Sequence, residues 1–245
     1  MKAPIIIWFV VLLLVSYLVY TAFRMSAISQ RSTNPPIIQA SQLFGSGAKK
    51  ITYVAAGDST AVGQGASTVE NTYPYLVGKY LSHSGATIDY SNVAVGGAKT
   101  QDLLDSQIQK IIDAKPDIVT ISIGANNLTH LHTNSSILQD DQLILTKLLE
   151  NTNADIYLTD IPNFYGATYL PKLYIQLLEF KAKSLNPEII ALATDRIHIV
   201  DIHNFGWDQY TDISTTISSD QFHPNDLGYQ NWANAFISSL KDNGK

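Results

Sequence analysis

Apolar and polar positions divide the chain into three stretches. From Ile5 to Phe23 the sequence carries no charge, and its only polar atoms are those of Ser16, Thr21 and the tips of Trp8, Tyr17 and Tyr20. At 1.5 Å per residue such a run is long enough to cross a hydrocarbon core of roughly 30 Å as one helix. Met25 to Gly47 has no sustained apolar period, is rich in Ser, Gln, Asn and Ala, and contains Pro35-Pro36, which predicts a tether. Beyond it, short apolar runs alternate with segments of helical spacing. Ile51–Ala55 stops at Gly57, Ile88–Val95 at Gly96-Gly97 and Ile118–Ile123 at Gly124, and Ile156–Leu158 and Ile197–Val200 are each followed by an Asp and Ile. Between these, Leu104, Ile108, Ile111 and Ile112 share one helix face, Leu145, Leu148 and Leu149 a second, and Tyr229, Trp232, Phe236 and Leu240 a third, which Asn225 is placed to cap.

Repeated strand–helix alternation predicts an α/β domain: a parallel sheet of five strands in the order 2-1-3-4-5, with helices on both faces. The expected organisation is an N-terminal transmembrane anchor at 1–24, a flexible linker at 25–49 and one domain at 50–245. A cleaved signal peptide is the rival reading of the first segment, but its apolar stretch is usually only about 7 to 15 residues and ends at a small-x-small site. Here Tyr20, Phe23 and Arg24 stand where small residues are wanted. Lys2 on one side and Arg24 and Arg31 on the other give almost no charge bias. The resemblance of Lys2 plus an apolar run to an export signal favours N-terminus inside and the domain outside, or secreted if the segment is cleaved.

Composition narrows the chemistry. A net charge of −5, with Lys49-Lys50 the only adjacent basic pair, argues against nucleic acid as a partner. The absence of cysteine excludes disulfides, a thiol nucleophile and cysteine-ligated zinc. His130 and His132 have strand spacing suggestive of a metal site, but no third ligand lies near them in sequence, and solvated loop histidines are the commoner case. The glycines from Gly57 to Gly65 do not fit the dinucleotide fingerprint, and the second strand ends at Ala94-Val95-Gly96 without the acid that fold needs.

Ligands of an open α/β sheet bind outside the carboxyl ends of its strands. Those ends read Gly57-Asp58-Ser59-Thr60, Gly96-Gly97-Ala98 and Gly124-Ala125-Asn126-Asn127, and in the expected order they are neighbours with the serine central. A serine hydroxyl becomes nucleophilic when a base takes its proton, and that base is usually a histidine oriented by a carboxylate. Both occur late, in Asp220-Gln221-Phe222-His223-Pro224. The backbone N–H groups of Ser59 and Gly97 and the amide of Asn126 are candidate donors to a tetrahedral oxyanion. Read singly, each block has a bland alternative: a strand-ending turn at Gly57-Asp58-Ser59, a loop-satisfying Asn126, a tight turn at Gly97, a solvated Asp220.

With all four blocks in order from about Lys50 onward, the chain resembles an SGNH hydrolase, the superfamily that includes GDSL lipases and esterases. The blocks are Gly57-Asp58-Ser59-Thr60 with Gly63 and Gly65, Asn92 to Gly97, Gly124 to Asn126, and Asp220 to His223. The resemblance implies a three-layer α/β/α fold without metal or organic cofactor. It also implies that Ser59 is the nucleophile, His223 the base, Asp220 its orienting acid, and Ser59, Gly97 and Asn126 the oxyanion hole. The implied activity is hydrolysis of a small-molecule, lipid or glycan ester, with the membrane met through the N-terminal helix. O-acetyl esterase or acyltransferase action on glycans, or a surface binding module without turnover, are the alternatives. Thr60 replaces the leucine of the family name, and Asn127 stands where an aspartate is common. Both affect packing and preference rather than a reacting group. Pocket walls are expected from the loops around 163–172 and 128–136.

Overall fold

The computed structural model describes residues 3–31, 41–204 and 213–245. Helix α1 (Ala3–Arg31) is followed by a six-stranded sheet of β1 (Ser41–Phe44), β2 (Lys50–Gly57), β3 (Thr87–Asn92), β4 (Ile118–Ser122), β5 (Asp155–Thr159) and β6 (Ile197–Val200). The order is β1-β3-β2-β4-β5-β6. The last five strands of that order are parallel, as predicted, and β1 adds an antiparallel edge on β3, with Ser41 opposite Ser91 and Phe44 opposite Ile88. Two corrections follow for the stretch read as a linker. Residues 41–44 belong to the sheet, because Phe44 buries its ring between Tyr75 and Tyr90, and α1 runs on to Arg31. Pro35-Pro36 lies outside the described residues.

One face of the sheet is covered by α4 (Thr100–Ser106), α5 (Ile108–Ala114), α7 (Asn134–Asn151) and α8 (Lys172–Ile190), which bury Leu103, Ile111, Ile144, Leu148, Leu178 and Leu185 against Val54, Val119 and Ile156. The other is covered by α3 (Tyr73–Ser82) and α9 (Asp226–Asp242), where Tyr73, Tyr229, Trp232 and Phe236 pack on Tyr53, Ile88 and Tyr157. The Asn225 side chain accepts the Gly228 N–H at 3.1 Å, capping α9. The short helices α2 (Ser59–Val62) and α6 (Ala125–Thr129) begin where β2 and β4 end.

The helix expected through Leu104 and Ile112 is broken at Gln107. That residue is fully buried, and its amide grips both sides of Gly57, accepting its N–H at 2.9 Å and donating to its carbonyl at 2.8 Å. A polar side chain turned inward from an apolar face thus fixes the end of β2 at the first residue of the Gly-Asp-Ser turn. No apolar periodicity marks such a role.

Asp141 is buried in α7, and its Oδ1 has no hydrogen-bond partner among the described residues. Burial, with a contribution from Asp140, pushes its carboxyl up to about 8. Such a group keeps its proton in the fold over the range, from about pH 4 to 8, in which the unfolded chain loses it. Folding is therefore opposed more as pH rises through that window. Asp141→Asn should raise stability to urea more at pH 8 than at pH 5, and an equal change at both would contradict the assignment.

Candidate active site

Gly57 ends β2 with φ +133°, and a Cβ there would lie 1.9 Å from the Ser122 carbonyl, so only glycine lets the chain turn this close to β4. Asp58 then caps α2, its Oδ1 accepting from the Thr60 N–H at 2.9 Å and the Thr60 hydroxyl at 2.8 Å. This leaves Ser59 half-buried at the carboxyl end of the central strand. Thr60 also bonds the Ser122 hydroxyl at 2.8 Å, so the residue in place of leucine ties the turn to β4.

His223 arrives from the opposite end of the chain. The loop from Ser218 to His223 is closed by the Ser218 N–H donating to the His223 carbonyl at 2.8 Å and by a bridge between Ile217 and Pro224. Gln221 takes a left-handed conformation, φ +62°, which folds the loop back. Asp220 Oδ1 thereby accepts from the Ser218 hydroxyl at 2.7 Å and from the N–H groups of Phe222 and His223, both at 2.9 Å. Its Oδ2 lies 2.7 Å from His223 Nδ1, and His223 Nε2 lies 2.9 Å from Ser59 Oγ. Burial works against ionisation of Asp220, but the His223 and Ser218 hydrogen bonds outweigh it and hold the carboxyl well below its ordinary range. The two sequence blocks, 164 positions apart, thus form one hydrogen-bonded line.

The expected oxyanion donors occupy the two flanking strand ends. Asn126 lies in the first turn of α6, its Nδ2 donating to the Ala98 carbonyl at 3.1 Å and making a longer 3.3 Å bond to Asp58 Oδ2. Gly97 is exposed in the turn after β3, with φ +77° and open space where a Cβ would stand. Glycine is needed there for backbone conformation rather than for room. Asn92 secures the same turn, accepting the Ala94 N–H at 3.0 Å and donating to the Ala61 carbonyl in α2 at 2.8 Å. Those bonds end β3 at Asn92, short of the apolar run that continues to Val95. Asn127 is buried, accepting from the Thr100 N–H at 3.0 Å and donating to its hydroxyl at 2.9 Å, so it links α6 to α4 and stays out of the cavity.

Beside Ser59 and His223 lies a cavity of about 70 Å³ whose apolar wall includes Phe164, Ala167, Ile202, Ile217, Phe222 and Trp232. The loop at 163–172 supplies part of this wall as expected. The loop at 128–136 does not, and residues 216–224 stand in its place. Asp160 is tied behind the wall, its Oδ1 accepting the N–H groups of Ile202 at 2.8 Å and His203 at 3.0 Å. Burial raises its carboxyl to about 7. His130 Nδ1 is 2.7 Å from the Asn126 carbonyl. Among the described residues no three His, Cys, Asp or Glu side chains gather as a metal site.

Residues 55–230 match the model of the GDSL-like lipase/acylhydrolase family. The chain belongs to that family. Solved structures share the fold at low identity. A lipase, Lip_vut3, from a goat rumen metagenome superposes with a TM-score of 0.65 at 20% identity, covering 77% of this chain and 97% of the lipase. Phospholipase A1 from Streptomyces albidoflavus NA297 does so with 0.57 at 18%, covering 77% and 99%. An acetyl-xylooligosaccharide esterase, Axe2, from Geobacillus gives 0.60 at 19%, covering 80% and 95%. No curated protein matches the chain in sequence.

Asn126 is separable from a structural asparagine by kinetics. Asn126→Ala should lower kcat by about 10² to 10³ with little change in KM, because an oxyanion donor acts on charge that develops only in the transition state. A rise in KM alone would assign it to substrate binding.

Proposed function

We propose that this GDSL-family hydrolase cleaves carboxylic esters through an acyl-Ser59 intermediate. The observation that carries the reading is the line Ser59 Oγ–His223 Nε2–Nδ1–Asp220, with bonds of 2.9 and 2.7 Å, opening on an apolar cavity. His223 Nε2 takes the Ser59 proton as Oγ bonds the ester carbonyl carbon, and Asp220 holds the Nδ1 proton and the ring orientation. The resulting oxyanion is met by the N–H groups of Ser59 and Gly97 and by Asn126, whose long bond to Asp58 is the one to yield. Collapse breaks the carbon–oxygen bond, and His223 returns its proton to the leaving alcohol. Water, deprotonated by the same nitrogen, then adds to the acyl carbon, and the acid leaves as Ser59 regains its proton.

The cavity's small volume suits a short acyl group, which also favours a second reading, O-acetyl ester cleavage on a glycan. Nitrophenyl esters of increasing chain length, assayed beside acetylated glycans, test both. Turnover should be highest with acetyl to butyryl chains, and turnover confined to long chains would exclude the cavity as the acyl site. Turnover of none of them would favour a binding module.

One helix among the described residues, at Ile6–Ile28, is long and apolar enough to cross a membrane. We read it as an uncleaved anchor holding the hydrolase outside. Because the chain lacks cysteine, a single Ser238→Cys at an exposed position of α9 should react with a membrane-impermeant maleimide in intact cells. Reaction only after lysis would place the domain in the cytoplasm.

A further inference from the structure

The domain does not hang free of α1. Arg24 lies over the Tyr169 ring, 3.7 Å from its centroid, and donates to the Tyr169 carbonyl, and Arg31 lies over the same ring at 4.5 Å. Thr21 and Ile28 are buried, and Leu18, Thr21 and Met25 share a cleft with Leu131 and Tyr174. The second half of the apolar helix is therefore docked on the domain. What remains free, Ala3 to Ser16, reaches only about 21 Å at 1.5 Å per residue. That is short of the roughly 30 Å of a hydrocarbon core. A spanning α1 must pull the docked face of the domain down to the level of the lipid headgroups.

That face is built for it. Helix α8 begins beside the docking point and exposes Leu173 by 67% and Phe180 by 73%, with Leu177 exposed between them. At 100° per residue these three positions fall on one stripe. Lys172 and Lys183 project on one side of the stripe and Lys181 on the other. Leu131, at the edge of the α1 cleft, adds a further exposed apolar side chain. Apolar residues flanked by lysines whose stems lie along the boundary are the composition of an interfacial surface.

We propose that Leu131 and the Leu173–Leu177–Phe180 stripe of α8 form a bilayer-docking surface that seats the hydrolase flat on the membrane. The proposal rests on reading α1 as a spanning anchor. Phe164 and Ala167 of the cavity wall lie in the loop that leads into α8. Docking therefore holds the site next to the lipid surface, where esters of membrane-held alcohols are the accessible substrates.

The test uses the full chain in vesicles of phosphatidylcholine and phosphatidylglycerol at 3:1. Single cysteines at Val11, Leu177, Phe180 and Ser238 carry a polarity-sensitive fluorophore, and spin-labelled lipids quench it. Val11→Cys, Leu177→Cys and Phe180→Cys should show blue-shifted emission and quenching, and Ser238→Cys neither. If Val11 is quenched while Leu177 and Phe180 behave like Ser238, the docking surface is overturned and the anchor stands. If Val11 is also unquenched, the anchor reading fails with it. Blue-shifted emission at Leu177 and Phe180 without lipid quenching would mean that a second copy covers the stripe, which also overturns the proposal.

Discussion

Ser59→Ala should lower kcat by about 10⁶, the scale of loss when the nucleophile of a serine hydrolase is removed. The loss follows from the geometry: Ser59 Oγ is the only hydroxyl hydrogen-bonded to His223 Nε2 among the described residues. The change deletes one half-buried oxygen and leaves the Asp58 cap of α2 in place. Thermal unfolding should therefore be nearly unchanged while labelling by a fluorophosphonate disappears. Ester turnover near the wild-type rate in the folded Ser59→Ala protein would end the acyl-enzyme reading.

Asp220→Asn should reduce kcat by about 10⁴, the effect of the same change in a serine-protease triad. An amide that turns its NH₂ toward His223 Nδ1 forces the imidazole proton onto Nε2, which then has no lone pair for the Ser59 proton. Stability should also fall, because the buried carboxylate accepts from the Ser218 hydroxyl, two backbone N–H groups and the imidazole. The folded carboxyl is held below its unfolded value, so this stabilisation is complete above about pH 4 and disappears as pH falls through the depressed folded value. The urea stabilities of wild type and Asp220→Asn should converge in acid. A gap that stayed constant or widened toward low pH would show that Asp220 is not held ionised by these bonds.

The sequence by itself determined the parallel core of the sheet, because β2, β4, β5 and β6 are short apolar runs that end at glycine or at a strand-ending polar residue. It also marked the blocks containing Ser59, Gly97 and Asn126, since turns at strand ends need particular residues at fixed offsets, and the Asp220–His223 pair, since a histidine base is usually oriented by a carboxylate. It did not show β1, whose Ser-Gln-Leu-Phe reads as tether until Phe44 finds its aromatic pocket. Nor did it show α8, whose exposed Leu173, Leu177 and Phe180 put apolar residues on both faces and blur the helical period. The purposes of Gln107, Asn127 and Thr60 were equally hidden. Each is a polar side chain buried with a partner distant in sequence: Gly57, Thr100 and Ser122 respectively. Local patterning reports which side of an element faces the core, because it follows the geometry of a single helix or strand. Which polar groups meet inside that core, and that α1 lies against Tyr169 and Tyr174 rather than standing off on a tether, depends on where separate elements pack, and only the tertiary structure decides that.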